Sequence, residues 1–185
     1  MSRRTALKLG LVGLAGVAVG AGSTAMIARM GRAVPPPYRF FTPEEAALLN
    51  DICEQLIPAD DTPGAAQTGT INYIDRQLCG VFKRHQQNYR RGLAAFDRTC
   101  RQEHGGPFPT LSAAKKIEAL HALETGRAPR ELWAQPSPQA FFNLVLAHTM
   151  QSFYGSPRHG GNRDYASYRM LGLDYPPIVG RNRKG

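Results

Sequence analysis

Ser137-Pro138-Gln139-Ala140-Phe141-Phe142-Asn143-Leu144-Val145-Leu146-Ala147-His148-Thr149-Met150-Gln151-Ser152-Phe153-Tyr154 decides the fold class. Serine followed by proline is the pattern of an N-cap and a first helical position, where the missing proline N–H costs nothing. The glycine-free run after it is apolar on nearly all sides of a 3.6-residue period, which places it in the middle of a bundle. Gly155 closes it.

The segments on either side read the same way. Thr42-Pro43-Glu44-Glu45 is a capping box, and Leu48, Leu49, Ile52, Cys53 and Leu56 follow at helical spacing until Pro58. Pro58 to Gly69 is a loop in which Asp60, Asp61, Pro63 and Gly64 are turn formers. A second helix is expected from Ile71 to about His85, with Ile71, Ile74, Leu78 and Phe82 inward. A third fits about Gln87 to Glu103, with Tyr89, Leu93, Phe96 and Cys100 inward and Gly105 behind it. Ser112 caps a fourth with Ile117, Leu120 and Leu123 inward, and a last short helix runs from Asp164 to Leu171. No stretch alternates apolar and polar long enough to make a strand, and no internal repeat is present. The expectation is an all-α chain: an irregular single-domain helical bundle preceded by an N-terminal signal helix.

That signal is Ser2-Arg3-Arg4-Thr5-Ala6-Leu7-Lys8, followed by a Gly/Ala-rich apolar run from Leu9 to Ala28. Paired arginines before a mildly hydrophobic segment have the form of a twin-arginine export signal, with Ala6 standing where phenylalanine is usual. The run is long enough to span a bilayer if it is retained as an anchor. The expected organisation is a signal over residues 1–33, a stiff Pro-rich linker over 34–40, a helical domain over 41–175 and a polar tail over 176–185. Because this route carries folded cargo, often already assembled, a chain of this kind is suited to ferry a partner that has no signal.

The formal net charge is +9, yet Arg3, Arg4, Lys8, Arg29 and Arg32 account for five of the 23 basic residues. The remaining 18 face 14 acidic residues, and beyond the Arg181-Asn182-Arg183-Lys184 tail no basic run stands out. No nucleic-acid-binding module is recognisable, so nucleic acid is not an expected partner. Cys53, Cys79 and Cys100 form no C-x-x-C pair, which removes the usual zinc spacings and the c-type haem motif. Each is a candidate for a disulfide, a free thiol or a small buried apolar side chain.

The residues richest in chemistry run from His148 to Asp164, in the order His148-Thr149-Met150-Gln151-Ser152-Phe153-Tyr154-Gly155-Ser156-Pro157-Arg158-His159-Gly160-Gly161-Asn162-Arg163-Asp164. A metal on His148, His159 and Asp164 would need ligands from a helix and a loop to converge. A hydrolase built on Ser152 or Ser156 lacks the nucleophile-elbow motif. Arg158, His159, Gly160, Gly161, Asn162 and Arg163 are suited either to cradle an anion or to form a tight structural loop at a partner interface, and the second reading is preferred. No glycine motif for a dinucleotide and no phosphate-binding loop is present, so no catalytic, metal or cofactor-binding residue is assigned.

This segment, together with Phe41-Thr42-Pro43-Glu44-Glu45, the stretch Leu56-Ile57-Pro58-Ala59-Asp60-Asp61-Thr62-Pro63-Gly64-Ala65, and Tyr73, Asp75, Tyr89 and Gly92-Leu93, resembles the gluconate 2-dehydrogenase subunit 3 family, also found with related sugar and glucoside 3-dehydrogenases. The resemblance implies a non-catalytic small subunit in the periplasm at the inner membrane. Its partners would be a large FAD-containing subunit of the glucose-methanol-choline type, a cytochrome c subunit carrying haem c, and the twin-arginine translocase. It implies no cofactor in this chain. Two other readings stay open: a stand-alone periplasmic enzyme, or a free chaperone, using the His148–Asp164 segment. Phe40, Phe41, Phe108, Trp133, Phe153 and Tyr168 are candidate interface anchors, with Phe153 expected in the core.

Overall fold

The computed structural model describes residues 38–173. The signal and its helix, the linker up to residue 37 and the tail lie outside the described residues. The described chain begins on a carboxylate. Asp75, only 3% exposed, accepts hydrogen bonds from three successive backbone N–H groups, those of Arg39 at 2.8 Å, Phe40 at 2.9 Å and Phe41 at 3.1 Å. A buried carboxylate needs such donors, because water is not there to solvate it.

The next residue starts α1 (Pro43–Leu56). The Thr42 hydroxyl accepts from the Glu45 N–H at 3.2 Å, and the Glu45 carboxylate accepts from the Thr42 N–H at 2.9 Å, so both halves of the capping box are made. Beyond Leu56 the chain forms the loop that leads to α2 (Thr70–Leu78). In that loop Asp60 accepts from the backbone N–H and the hydroxyl of Thr62, and these bonds hold its carboxyl below the usual range.

After α2 come α3 (Gln86–His104), α4 (Ala113–Glu124), α5 (Pro138–Tyr154) and α6 (Ala166–Met170), with short 3-10 turns between them. No strand occurs among the described residues. As its pattern predicts, α5 is central and packs against α1, α2, α3, α4 and α6. Phe141, Val145, His148, Thr149, Ser152 and Phe153 are buried along it, while Asn143, Ala147 and Met150 keep one edge in solvent. Its crossing with α3 depends on Gly92, where a β-carbon would stand 2.1 Å from the Phe141 ring. Rings continue the contact in both directions: Phe141 lies 6.3 Å from Tyr89 and 5.8 Å from Trp133, and Tyr89 lies 5.7 Å from Phe41.

Several expectations are corrected. The second helix does not reach His85. It ends at Leu78, and the chain turns through Cys79–Phe82, with the Phe82 N–H bonded to Gln77 O at 2.8 Å. That turn lays Phe82 flat on His148, 4.0 Å away with the planes within 2°, which a continuous helix would not achieve. Ile117 is not inward but 64% exposed, because α4 buries only Ala119, Leu120 and Leu123. Phe41, Phe108 and Trp133 are core residues rather than surface anchors, as is Phe153. Their burial follows from the rings that close over them, and each fully buried aromatic side chain contributes about 1.5–3 kcal/mol.

Gly92→Ala is expected to lower stability by about 1–3 kcal/mol, the usual cost of forcing a methyl group into a packed crossing. Urea unfolding checks this: the midpoint should fall while the slope stays constant, and an unchanged midpoint would show that α3 and α5 cross elsewhere.

Candidate functional site

The loop after α5 is built around Asn162. Its side chain is completely buried, its Nδ2 donates to Gly155 O at 2.8 Å, and its Oδ1 accepts from the Ser167 N–H at 3.0 Å. One amide thus ties the end of α5 to the first turn of α6. Asn162 adopts φ 43°, in the left-handed region that asparagine tolerates better than most residues. Asp164, at φ 55°, shares that tolerance, whereas Tyr165, at φ 57°, does not, so the loop stores backbone strain there.

The two glycines are there for room. Gly160, at φ 102°, packs on α2: a β-carbon would stand 3.0 Å from the Arg76 guanidinium and 3.7 Å from Tyr73 Cα. Gly161 packs on α5, where a β-carbon would stand 2.1 Å from Ser152 Oγ. The Arg163 N–H donates to Thr68 O at 3.0 Å and fastens the loop to the segment before α2. Three hydroxyls in the segments this loop touches, those of Thr70, Ser152 and Ser167, are buried without a partner.

The structure therefore divides the six loop residues into two sets. Gly160, Gly161 and Asn162 turn inward and hold the loop in shape. Arg158, His159 and Arg163 are exposed, with Arg158 Nε donating to His159 Nε2 at 3.1 Å. His148 and His159 are not equivalent. His148 is 4% exposed and its Nδ1 lies 2.9 Å from the Tyr89 hydroxyl, the bonded core histidine that an apolar helix predicts. Burial, then the nearby His85 and Arg84, lower its pKa from 6.5 to about 4, so the ring is neutral at pH 7. Burial also raises Tyr89 well above its ordinary range.

Cys53, Cys79 and Cys100 all carry free thiols. Cys53 and Cys100 are buried and their pKa values rise to about 12, chiefly through desolvation, so neither is a nucleophile at neutral pH. The Thr149 hydroxyl donates to Cys53 Sγ at 3.2 Å. Cys79 is exposed at the end of α2. Among the described residues no three His, Cys, Asp or Glu side chains converge on a metal site, and no helix is long and apolar enough to cross a membrane.

Sequence reasoning missed Asp75 as the anchor of residues 39–41, because a lone acid on a helix carries no local sign of distant donors. It also missed Thr99, whose hydroxyl accepts from Trp133 Nε1 at 3.0 Å.

The loop's inward polar groups are engaged in its own hydrogen bonds, and its exposed ones include Arg158, His159 and Arg163. The family model for gluconate 2-dehydrogenase subunit 3 matches residues 43–174, more than half of the 185. The chain belongs to the gluconate 2-dehydrogenase subunit 3 family. No curated protein and no solved structure gave a match to it.

Two outcomes follow from this geometry. Asn162→Ala should cost about 2–3 kcal/mol, since it leaves Gly155 O and the Ser167 N–H without partners and puts alanine at positive φ. Thermal unfolding measures this, and a loss within experimental scatter would mean the amide is not the staple of the loop. For His148 the folded pKa lies below the unfolded one, so the unfolded chain binds the extra proton. Its contribution is full above pH 6.5 and disappears as the pH falls to about 4, about 3 kcal/mol at 1.36 kcal/mol per pKa unit. Unfolding titrations of wild type and His148→Gln over that window should diverge in slope, and parallel curves would contradict the assignment.

Proposed function

We propose that this chain is the non-catalytic small subunit of a membrane-associated periplasmic dehydrogenase that oxidises a sugar, of the gluconate-oxidising or glucoside 3-oxidising kind. The observation that carries this reading is the family match over residues 43–174. In this reading a large partner of the glucose-methanol-choline type holds FAD and performs the oxidation. A cytochrome c subunit carrying haem c receives the electrons. This chain supplies Arg3 and Arg4 to the twin-arginine translocase and escorts the folded flavoprotein across the inner membrane. It then stays with the flavoprotein and stabilises it.

The packing of the described domain supports this division of labour. Its most suggestive histidine, His148, is engaged with Tyr89 and Phe82 inside the core, and two of its three thiols are buried and protonated. Arg158 and Arg163 form a cationic fringe on the clamped loop, with His159 beside them, which suits contact with another protein chain more than turnover of a small molecule.

The test separates export from catalysis. Arg3→Lys together with Arg4→Lys should strand this chain and the flavoprotein in the cytoplasm, abolishing periplasmic sugar dehydrogenase activity while leaving a flavin-containing complex purifiable from the soluble fraction. Wild-type periplasmic activity in that mutant would reject the escort role. A colourless, solitary chain on affinity purification of the wild type would reject the subunit role.

A further inference from the structure

A second surface, away from the glycine loop, is formed where α3 faces the segment Glu131–Pro136. Between them lies a groove of about 430 Å3. On its α3 wall Arg91, Ala94, Ala95 and Arg98 fall at i, i+3, i+4 and i+7, one face of a helix. Leu132, Trp133, Ala134 and Pro136 supply the opposite wall. A second cavity of about 270 Å3 shares Trp133 and Ala134 with the first and is lined beyond them by Arg130. The two cavities thus flank the same segment, with Arg91 and Arg98 on the first and Arg130 on the second.

The charges on this path are unbalanced. Arg90 is already engaged by Glu45 and the Phe40 carbonyl, so it is not available. Arg91, Arg98 and Arg130 are exposed and have no carboxylate partner among the described residues. Glu131 is the one acid on the lining that is free to answer them. Arg98 is pre-set: its Nη2 donates to Leu132 O at 3.2 Å across the groove, which steadies the wall and leaves the rest of the guanidinium fork for a ligand. Trp133 is 8% exposed and hydrogen-bonded to Thr99, so it offers an edge to pack against rather than an open face on which a nucleic-acid base would stack.

We infer that this groove receives an extended acidic segment of the flavoprotein subunit, with carboxylates on Arg91, Arg98 and Arg130 and an apolar side chain against Ala94, Trp133 and Ala134. Three unpaired guanidinium groups divided between two neighbouring cavities suit several carboxylates on one segment of chain rather than a single small anion. Arginine is enriched at protein interfaces, and here unpaired guanidinium groups stand beside the exposed apolar side chains of Ala94 and Ala134. This inference rests on the subunit reading above and names the surface and the chemistry by which the two chains meet.

Photo-cross-linking of the full-length tagged chain in its own membranes tests it, with p-benzoylphenylalanine placed singly at Ala94 and at Ala134. Both positions should cross-link to one stretch of the flavoprotein that carries net negative charge. Arg91→Glu/Arg98→Glu/Arg130→Glu should abolish both cross-links and cut the flavin recovered per chain about tenfold, as expected when complementary charges are reversed. Exchange of the mapped carboxylates for lysine should then restore both. Should the triple variant unfold by circular dichroism, Arg91→Glu alone, at a side chain with no internal bond, gives the same reading with a smaller loss. Flavoprotein recovered in equal amount but cross-linked elsewhere, or through a segment without acidic residues, would overturn the groove and leave the subunit reading intact. Cross-links only to lipid, nucleic acid or a second copy of this chain would overturn it too. Recovery of no flavoprotein at all from the wild type would overturn both.

Discussion

The carboxylate of Asp75 is the constraint on which the other contacts rest. It sits on α2, yet its three bonds are to backbone thirty-four to thirty-six residues earlier, at Arg39, Phe40 and Phe41. Those bonds fix the direction in which the chain enters the domain. Phe41 is thereby turned into the core against Tyr89, and Thr42 is delivered in the extended conformation that an N-cap requires. The Glu45 that completes the cap also pairs with Arg90 of α3, which reaches on to the Phe40 carbonyl. One buried acid thus organises the start of α1, its seat on α3 and the first aromatic contact. Without it, three N–H groups at the edge of the core would lack acceptors, each at about 1–3 kcal/mol.

What could be read in the sequence was local. Thr42 and Ser137 announce their helices because cap, proline and following apolar period lie within a few residues of each other. The central position of α5 was legible from its composition alone. The length of α2 was not, because the turn at Cys79–Phe82 is set by where Phe82 must lie on His148, a residue of another helix. Ile117 fits the period of α4 yet faces solvent, since the direction of a stripe says nothing about how wide the covering helices are. In the loop, Gly160, Gly161 and Asn162 read equally well as an anion cradle or a structural turn. Only the closeness of Arg76 and Ser152, and the two bonds made by the Asn162 amide, distinguish inward from outward residues.

Membership of the gluconate 2-dehydrogenase subunit 3 family gives this arrangement a context. In this fold His148 is stacked and neutral and the thiols of Cys53 and Cys100 are desolvated, while Cys79 and His159 stay exposed. The cations that remain outside are mounted on well-packed backbone, Arg158 and Arg163 on the clamped loop and Arg91 and Arg98 on α3. A rigid mounting lowers the ordering cost of meeting a partner.

The hydrogen bond from Arg163 to Thr68 joins segments far apart in the sequence, and that separation carries an entropic cost. Closing so long a loop before the intervening helices have packed would lose chain entropy with nothing to offset it. The glycine loop therefore depends on α2 and α5 having met, because they make the surfaces on which Gly160 and Gly161 rest. The exposed Arg158 and Arg163 are held in place by that packing, so this part of the surface distinguishes a finished domain from an unfinished one.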